Sequence, residues 1–228
     1  MKQARQLPLD LGHRTAMGRE DFLIAPSNQD AVAWIDLWPE WPAPALVLYG
    51  PVSSGKSHLA AVWAERSKAA RAAAGEVSDR NADELARRGE HLVIDDADRL
   101  IGDVAGEKGL FHLYNIFKEE GRTILLTMID APVRRAFALP DLASRLRAAP
   151  CVAIREPDEA LLAAILVKLF NDRQLRVGAG VIPYLLPRIE RSFEAVHSLV
   201  AAIDRESMVS HNPITVKMVR AVLDVDGQ

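Results

Sequence analysis

The sequence predicts an α/β fold, a parallel sheet covered by helices on both faces, followed by a small all-helical domain. Three observations carry this. The stretch Gly50-Pro51-Val52-Ser53-Ser54-Gly55-Lys56-Ser57 fits a phosphate-binding loop and sits between an apolar run and a helix-compatible segment. Short apolar runs alternate with helical stretches as far as residue 156. Beyond Pro157 only helical patterns remain.

The elements follow in order. Residues 1–20 are polar apart from the island Leu7-Pro8-Leu9-Asp10-Leu11, and read as an extended or disordered tail. Residues 28–38 suit a short helix, with Pro26-Ser27 as its start signal and Pro39 near its stop. Pro42 and Pro44 make a tight connection into a strand at 45–49. Helix character is expected over 56–74, a weak strand near Glu76-Val77-Ser78 and a short helix over 80–88. His91-Leu92-Val93-Ile94-Asp95-Asp96 reads as a buried strand with acids at its carboxyl end. Leu110, Leu113, Tyr114 and Phe117 form a helical stripe within 109–120. Strands are expected at 123–127 and 151–154, with a short helix over 141–148 between them. Four further helices are predicted at 158–171, 179–189, 193–208 and 215–223, with Asp158 and Thr215 as N-caps for the first and last. The expected domains are a tail (1–20), an α/β domain (21–156) and a helical domain (157–228).

Composition narrows the function. A net charge of −3 and a pI of about 6.1 argue against coating nucleic acid by bulk electrostatics, though not against a local basic patch. Cys151 is the single cysteine, which excludes a disulfide framework and a cysteine-based zinc site. No apolar run approaches the ~18 residues of a membrane span, and the N-terminus has no continuous apolar core of a secretory signal. The expectation is a cytoplasmic protein with no membrane partner. The six histidines show no metal spacing. Trp34, Trp38 and Trp41 read as packing residues, and Arg134-Arg135 as a solvated face. Ser53 and Ser54 have no histidine–acid partners that would make either a nucleophile.

The loop specifies its chemistry. Its glycines let backbone N–H groups turn inward onto phosphate oxygens, and the following helix adds the positive end of its dipole. Gly50, Pro51, Val52, Ser53, Ser54, Gly55, Lys56 and Ser57 are the expected nucleotide-binding residues, with His58 beside them. Lys56 would reach the β- and γ-phosphates, and the Ser57 hydroxyl would bind Mg²⁺. Asp95 follows Leu92-Val93-Ile94 as a Walker B acid should, to hold the metal through water, and Asp96 stands where a water-activating acid sits. The bland alternative is a pair of helix-capping aspartates, with Asp98 close by. ADP or ATP with Mg²⁺ is the expected cofactor.

These residues also carry a family resemblance. Asp21-Phe22-Leu23-Ile24-Ala25-Pro26-Ser27-Asn28-Gln29, the loop followed by His58-Leu59, Ile94-Asp95-Asp96, Leu125-Leu126-Thr127 and Leu142-Ala143-Ser144-Arg145-Leu146 together resemble the DnaA replication-initiator family over residues 21–223. The initiator's N-terminal interaction domain and its helix-turn-helix domain are not expected here. Gln6-Leu7-Pro8-Leu9-Asp10-Leu11 resembles the sliding-clamp-binding peptide of Hda-type regulators. The resemblance implies an AAA+ P-loop fold, with a parallel five-stranded sheet flanked by helices and a helical lid. It implies a negative regulator of replication initiation that docks on the DNA-loaded clamp through Gln6, Leu7, Leu9 and Leu11 and stimulates ATP hydrolysis by DnaA. DNA would then be contacted indirectly through the clamp. Ser144-Arg145 occupies the place of the arginine finger, a permanent planar charge supplied in trans to a partner's nucleotide.

Two departures bear on turnover. Met128 and Ile129 replace the serine and aspartate that follow the sensor strand in DnaA proteins, and Asp130 comes one residue later. Glu194 aligns with the lid's sensor arginine, and Arg191 lies a helical turn earlier. Both imply weak or absent intrinsic ATPase activity, so that the chain acts as activator of a partner's ATPase. The rival readings are a self-contained P-loop ATPase such as a helicase loader, and a nucleotide-binding interaction module unrelated to the clamp. A homodimer is left open.

Overall fold

The computed structural model describes residues 23–210 and 213–226. Its α/β unit opens with helix α1 (Gln29–Asp36) and strand β1 (Ala45–Tyr49), then α2 (Lys56–Ser67), β2 (Ala70–Ala73), α3 (Ala82–Arg87) and β3 (His91–Asp95). It continues with α4 (Val104–Glu119), β4 (Thr123–Met128), α5 (Pro140–Ala148) and β5 (Cys151–Ala153). The five strands form one parallel sheet in the order β2-β3-β4-β1-β5. Open α/β sheets bind ligands at the carboxyl ends of their strands, where the strand order switches.

Alternation within the strands builds two cores. Ala45, Val47, Leu92, Ile94, Ile124 and Leu126 face one side, where Leu85, Leu110, Leu113, Phe117 and Leu142 cover them. Leu46, Leu48, Val93 and Leu125 face the other, against Ile35, Leu59 and Trp63. With both faces covered, the middles of β1, β3 and β4 are apolar runs, as buried parallel strands require. Trp41 stacks on Trp63 with centroids 5.2 Å apart, and Trp38 meets Trp63 edge-on at 6.0 Å. The tryptophans are thus packing residues, as expected.

Three sequence expectations are corrected here. The helix predicted over 56–74 stops at Ser67, where Lys68 takes a left-handed conformation (φ 56°), and 70–73 form strand β2. Ala70-Arg71-Ala72-Ala73 is rich in helix formers, but pairing Ala70 with Leu92 through Ala73 with Asp95 overrides that local preference. The strand expected at 76–78 is absent; 74–76 form a 3-10 turn in which Glu76 accepts the Ala73 N–H at 2.8 Å. Helix α4 begins at Val104, earlier than the apolar stripe suggested, because Asp103 caps it by accepting the Gly106 N–H at 2.9 Å.

The residues after Glu156 form a second, helical unit. It contains α6 (Glu159–Asp172), α7 (Val181–Leu185), α8 (Phe193–Ser210) and α9 (Val216–Asp226). Asp158 caps α6 by accepting the Leu161 N–H at 2.8 Å. Helix α7 is shorter than the predicted 179–189. Leu162, Leu166, Phe170, Val181, Leu185, Val196, Val200 and Ile203 make this unit's core. No helix among the described residues is long and apolar enough to cross a membrane.

Candidate functional site

The site grows from the carboxyl end of β1. After Tyr49 the chain turns at Gly50, whose N–H donates to the Met128 carbonyl at 3.1 Å. Only glycine fits there, since a Cβ would overlap the Ile154 carbonyl. Ser53 (φ 57°) and Gly55 (φ 98°) then take left-handed conformations that turn the loop into α2. Lys56 and Ser57 are therefore the first residues of a 12-residue helix, where unpaired N–H groups gather.

Lys56 is buried, and its ammonium folds back on the loop, donating to the carbonyls of Gly50 (2.8 Å) and Pro51 (2.5 Å). Burial pulls its pKa below the ordinary lysine value, opposed by Asp98, Asp96 and Asp95. No carboxylate among the described residues lies within ion-pair distance of it. The Ser54 hydroxyl is buried and has no hydrogen-bond partner among the described residues. Pro51, Val52 and Ser57 are exposed, while Ser53 and His58 are half-buried. This arrangement suits phosphate: an anion would replace neutral carbonyls as the acceptor for Lys56 and meet the donors of the loop and helix start.

Two strands away the acids line up. Asp95 ends β3, and Asp96 follows in a left-handed conformation (φ 54°). Thr127 of β4, fully buried, ties them together. Its hydroxyl donates to Asp95 Oδ1 at 3.2 Å and accepts the Asp96 N–H at 2.9 Å. The other Asp95 oxygen, Oδ2, is held by Arg71 Nη2 at 2.6 Å. Asp96 points to solvent, 3.5 Å from the Arg99 guanidinium. Asp98 is buried, accepts the Ile129 N–H, and receives a bond from Arg135 on its carbonyl at 3.3 Å. Ser57 and Asp95 are hard oxygen donors of the kind Mg²⁺ prefers. The described residues contain no group of three or more His, Cys, Asp or Glu able to hold a metal. A cation here would take most of its ligands from phosphate and water.

The structure thus gathers the loop, Asp95 and Thr127 around one end of the sheet. Arg145 is engaged differently. It lies on α5, donates to Asn115 Oδ1, and stacks over Phe111 (4.6 Å) and Tyr114 (5.2 Å), all on α4. Burial pushes the Tyr114 phenol pKa up, and Arg145 works against that. Helix α5 is itself fixed by Glu107, which is completely buried and accepts the N–H groups of Gly102 (2.7 Å), Ala138 (2.9 Å) and Leu139 (2.6 Å). Ile129 is 46% exposed, and Asp130 pairs with Arg135 at 3.5 Å. Glu194 is exposed in the first turn of α8, just after exposed Arg191. Gln6, Leu7, Leu9 and Leu11 lie outside the described residues.

Sequence reasoning missed Arg71 and Glu107. The only signal for Arg71 was one charge inside an alanine run, and its partner emerges only from the register of β2 on β3. Nothing in the sequence around Glu107 marks it as buried, since its partners at 138–139 lie some thirty residues away.

The sheet order with the loop after β1 and Asp95 at the end of β3 defines an AAA+ P-loop fold. No protein-family model matches the chain. Among solved structures it is similar to domain III of the replication initiation protein DnaA from Thermotoga maritima, with a TM-score of 0.80 and 17% identity over 96% of this chain and 98% of that one. It is similar to DnaA from Aquifex aeolicus bound to AMPPCP, with a TM-score of 0.68 and 20% identity over 81% of this chain. It covers 63% of that DnaA chain. Thermotoga maritima RuvB is a third likeness, with a TM-score of 0.70 and 14% identity over 87% of this chain and 68% of that one. At such identities the likeness carries the fold.

Proposed function

We propose that the chain is an adenine-nucleotide-holding AAA+ module that restrains replication initiation by stimulating ATP hydrolysis on a DnaA-type initiator. The observation that carries the nucleotide part is the loop: a buried lysine whose hydrogen-bond partners among the described residues are two backbone carbonyls, at the start of a helix. The AMPPCP bound in matched DnaA structures supports the same reading. Lys56 would hold the terminal phosphates of ADP or ATP, Ser57 and Asp95 would place Mg²⁺, and Asp96 would orient water. Mg²⁺ would supply charge neutralisation at the phosphates.

The tail peptide Gln6-Leu7-Pro8-Leu9-Asp10-Leu11 would dock on the sliding clamp, and Arg145 would reach the initiator's ATP. For that the guanidinium must exchange Asn115 and its aromatic neighbours for phosphate oxygens, a trade of neutral for anionic acceptors. Exposed Ile129 and Glu194 in place of polar and cationic sensors support slow turnover by the chain itself.

The test is single-turnover hydrolysis by ATP-loaded DnaA with the clamp on DNA. Addition of this chain should accelerate it, and no acceleration removes the regulatory role. Calorimetry with ADP should show binding by the wild type and its loss in Lys56→Ala. Steady hydrolysis by the chain alone at roughly 1–10 s⁻¹ would favour a self-contained ATPase such as a helicase loader.

A further inference from the structure

We propose that Arg71 is a built-in counter-cation for Asp95, so that the loop holds a nucleoside diphosphate with little need of Mg²⁺. The inference rests on the nucleotide reading above and concerns how that site balances its charge.

Strand β2 is the edge strand beside β3, and Arg71 stands opposite Val93. Side chains alternate along a strand, so Arg71, Val93 and Asp95 share one face. Val93 packs with Leu59 and Trp63 of α2, which makes it the face of the helix that carries Lys56 and Ser57. One pleat beyond Val93, the Arg71 guanidinium meets Asp95 Oδ2 at 2.6 Å. Thr127 already occupies Oδ1. Both oxygens of the acid expected to hold metal-bound water therefore have donors from the chain.

Three aspartates, Asp95, Asp96 and Asp98, act on Lys56. A diphosphate entering the loop would meet those charges with one lysine to offset them. In P-loop sites a metal between acid and phosphate removes that conflict. Arg71 removes part of it in advance, because a guanidinium stays charged at any working pH. The Arg71 side chain is 42% exposed against 23% for Asp95, so the pair sits at the rim. A pair that merely pins the edge strand would influence melting and leave metal dependence alone.

The experiment is ADP binding by calorimetry in Mg²⁺ and in EDTA, for wild type, Arg71→Ala and Arg71→Ala/Asp95→Asn. Wild-type affinity should change less than about threefold between conditions, and Arg71→Ala should weaken about tenfold in EDTA and recover in Mg²⁺, the worth of one charge-assisted contact. The double variant lacks both charges and should again bind alike in both conditions. If the wild type depends on Mg²⁺ as strongly as Arg71→Ala, the counter-cation is refuted while the nucleotide site stands. A double variant that loses binding in both conditions with a lowered Tm marks the pair as structural and overturns the proposal. Absence of ADP binding by the wild type in either condition refutes the nucleotide reading and this inference with it.

Discussion

Glu107→Gln tests how α5, and with it Arg145, is held in place. The wild-type side chain is fully buried and accepts three backbone N–H groups, those of Gly102, Ala138 and Leu139. Glutamine keeps the shape but replaces one oxygen with an NH₂. In the better orientation its oxygen still accepts from Gly102 and Ala138, and the NH₂ faces the Leu139 N–H. Leaving that buried N–H without an acceptor costs about 1–3 kcal/mol. Converting two charge-assisted bonds to neutral ones removes roughly 1 kcal/mol each. The amide is easier to bury than a carboxylate, which offsets part, and the net loss is about 2–4 kcal/mol. The assay is urea unfolding followed by tryptophan fluorescence, since all four tryptophans (Trp34, Trp38, Trp41 and Trp63) lie in the α/β unit. A change below about 0.5 kcal/mol, the range of an ordinary surface substitution, would refute this reasoning. The 138–139 segment leads directly into α5, so amide exchange should rise there first.

Three further outcomes are expected. Arg145→Ala should bind ADP and the clamp normally but lose most stimulation of DnaA, because arginine fingers measured in GTPases supply about 10³–10⁵ in rate; Arg145→Lys should not rescue it, and full stimulation by either variant removes the residue from the mechanism. Replacing Leu7 and Leu9 by alanine should abolish clamp binding in a pull-down while leaving ADP binding intact; unchanged clamp affinity would show the peptide resemblance to be accidental. His91 should make the α/β unit sensitive to mild acid. Burial holds its pKa below the ordinary histidine value, with Glu90 opposing and Arg122 assisting. Its Nδ1 accepts the Thr123 N–H at 3.3 Å, which requires the neutral ring. The unfolded chain therefore takes up a proton first as pH falls. Stability should be complete above about 6.5 and decline below it, through the interval down to the folded-state value. His91→Gln should flatten that decline; an identical slope in the variant assigns it to other groups.

The glycine-bearing loop after β1, the apolar strands and the acids at the end of β3 were legible in the sequence because each depends on local chemistry. A turn that must admit phosphate needs glycines at fixed spacing, and a strand buried on both faces must be apolar throughout. The order of those pieces predicted a helix-covered parallel sheet, and the resemblance to DnaA implied its AAA+ arrangement. What local chemistry could not supply was pairing. Strand β2 is an alanine run whose own preference is helical, and it becomes a strand only because β3 offers an open edge. Arg71 acquires a partner from that same register. Glu107 is an acid in a helical stretch until folding brings the loops at 102 and 138–139 onto it. Arg145 could be placed on a short helix by pattern, but its seat on Asn115, Phe111 and Tyr114 depends on how α5 lies against α4. In each case the deciding contact joins residues far apart in the chain, where burial and unpaired hydrogen-bonding groups outweigh the preference of any single segment.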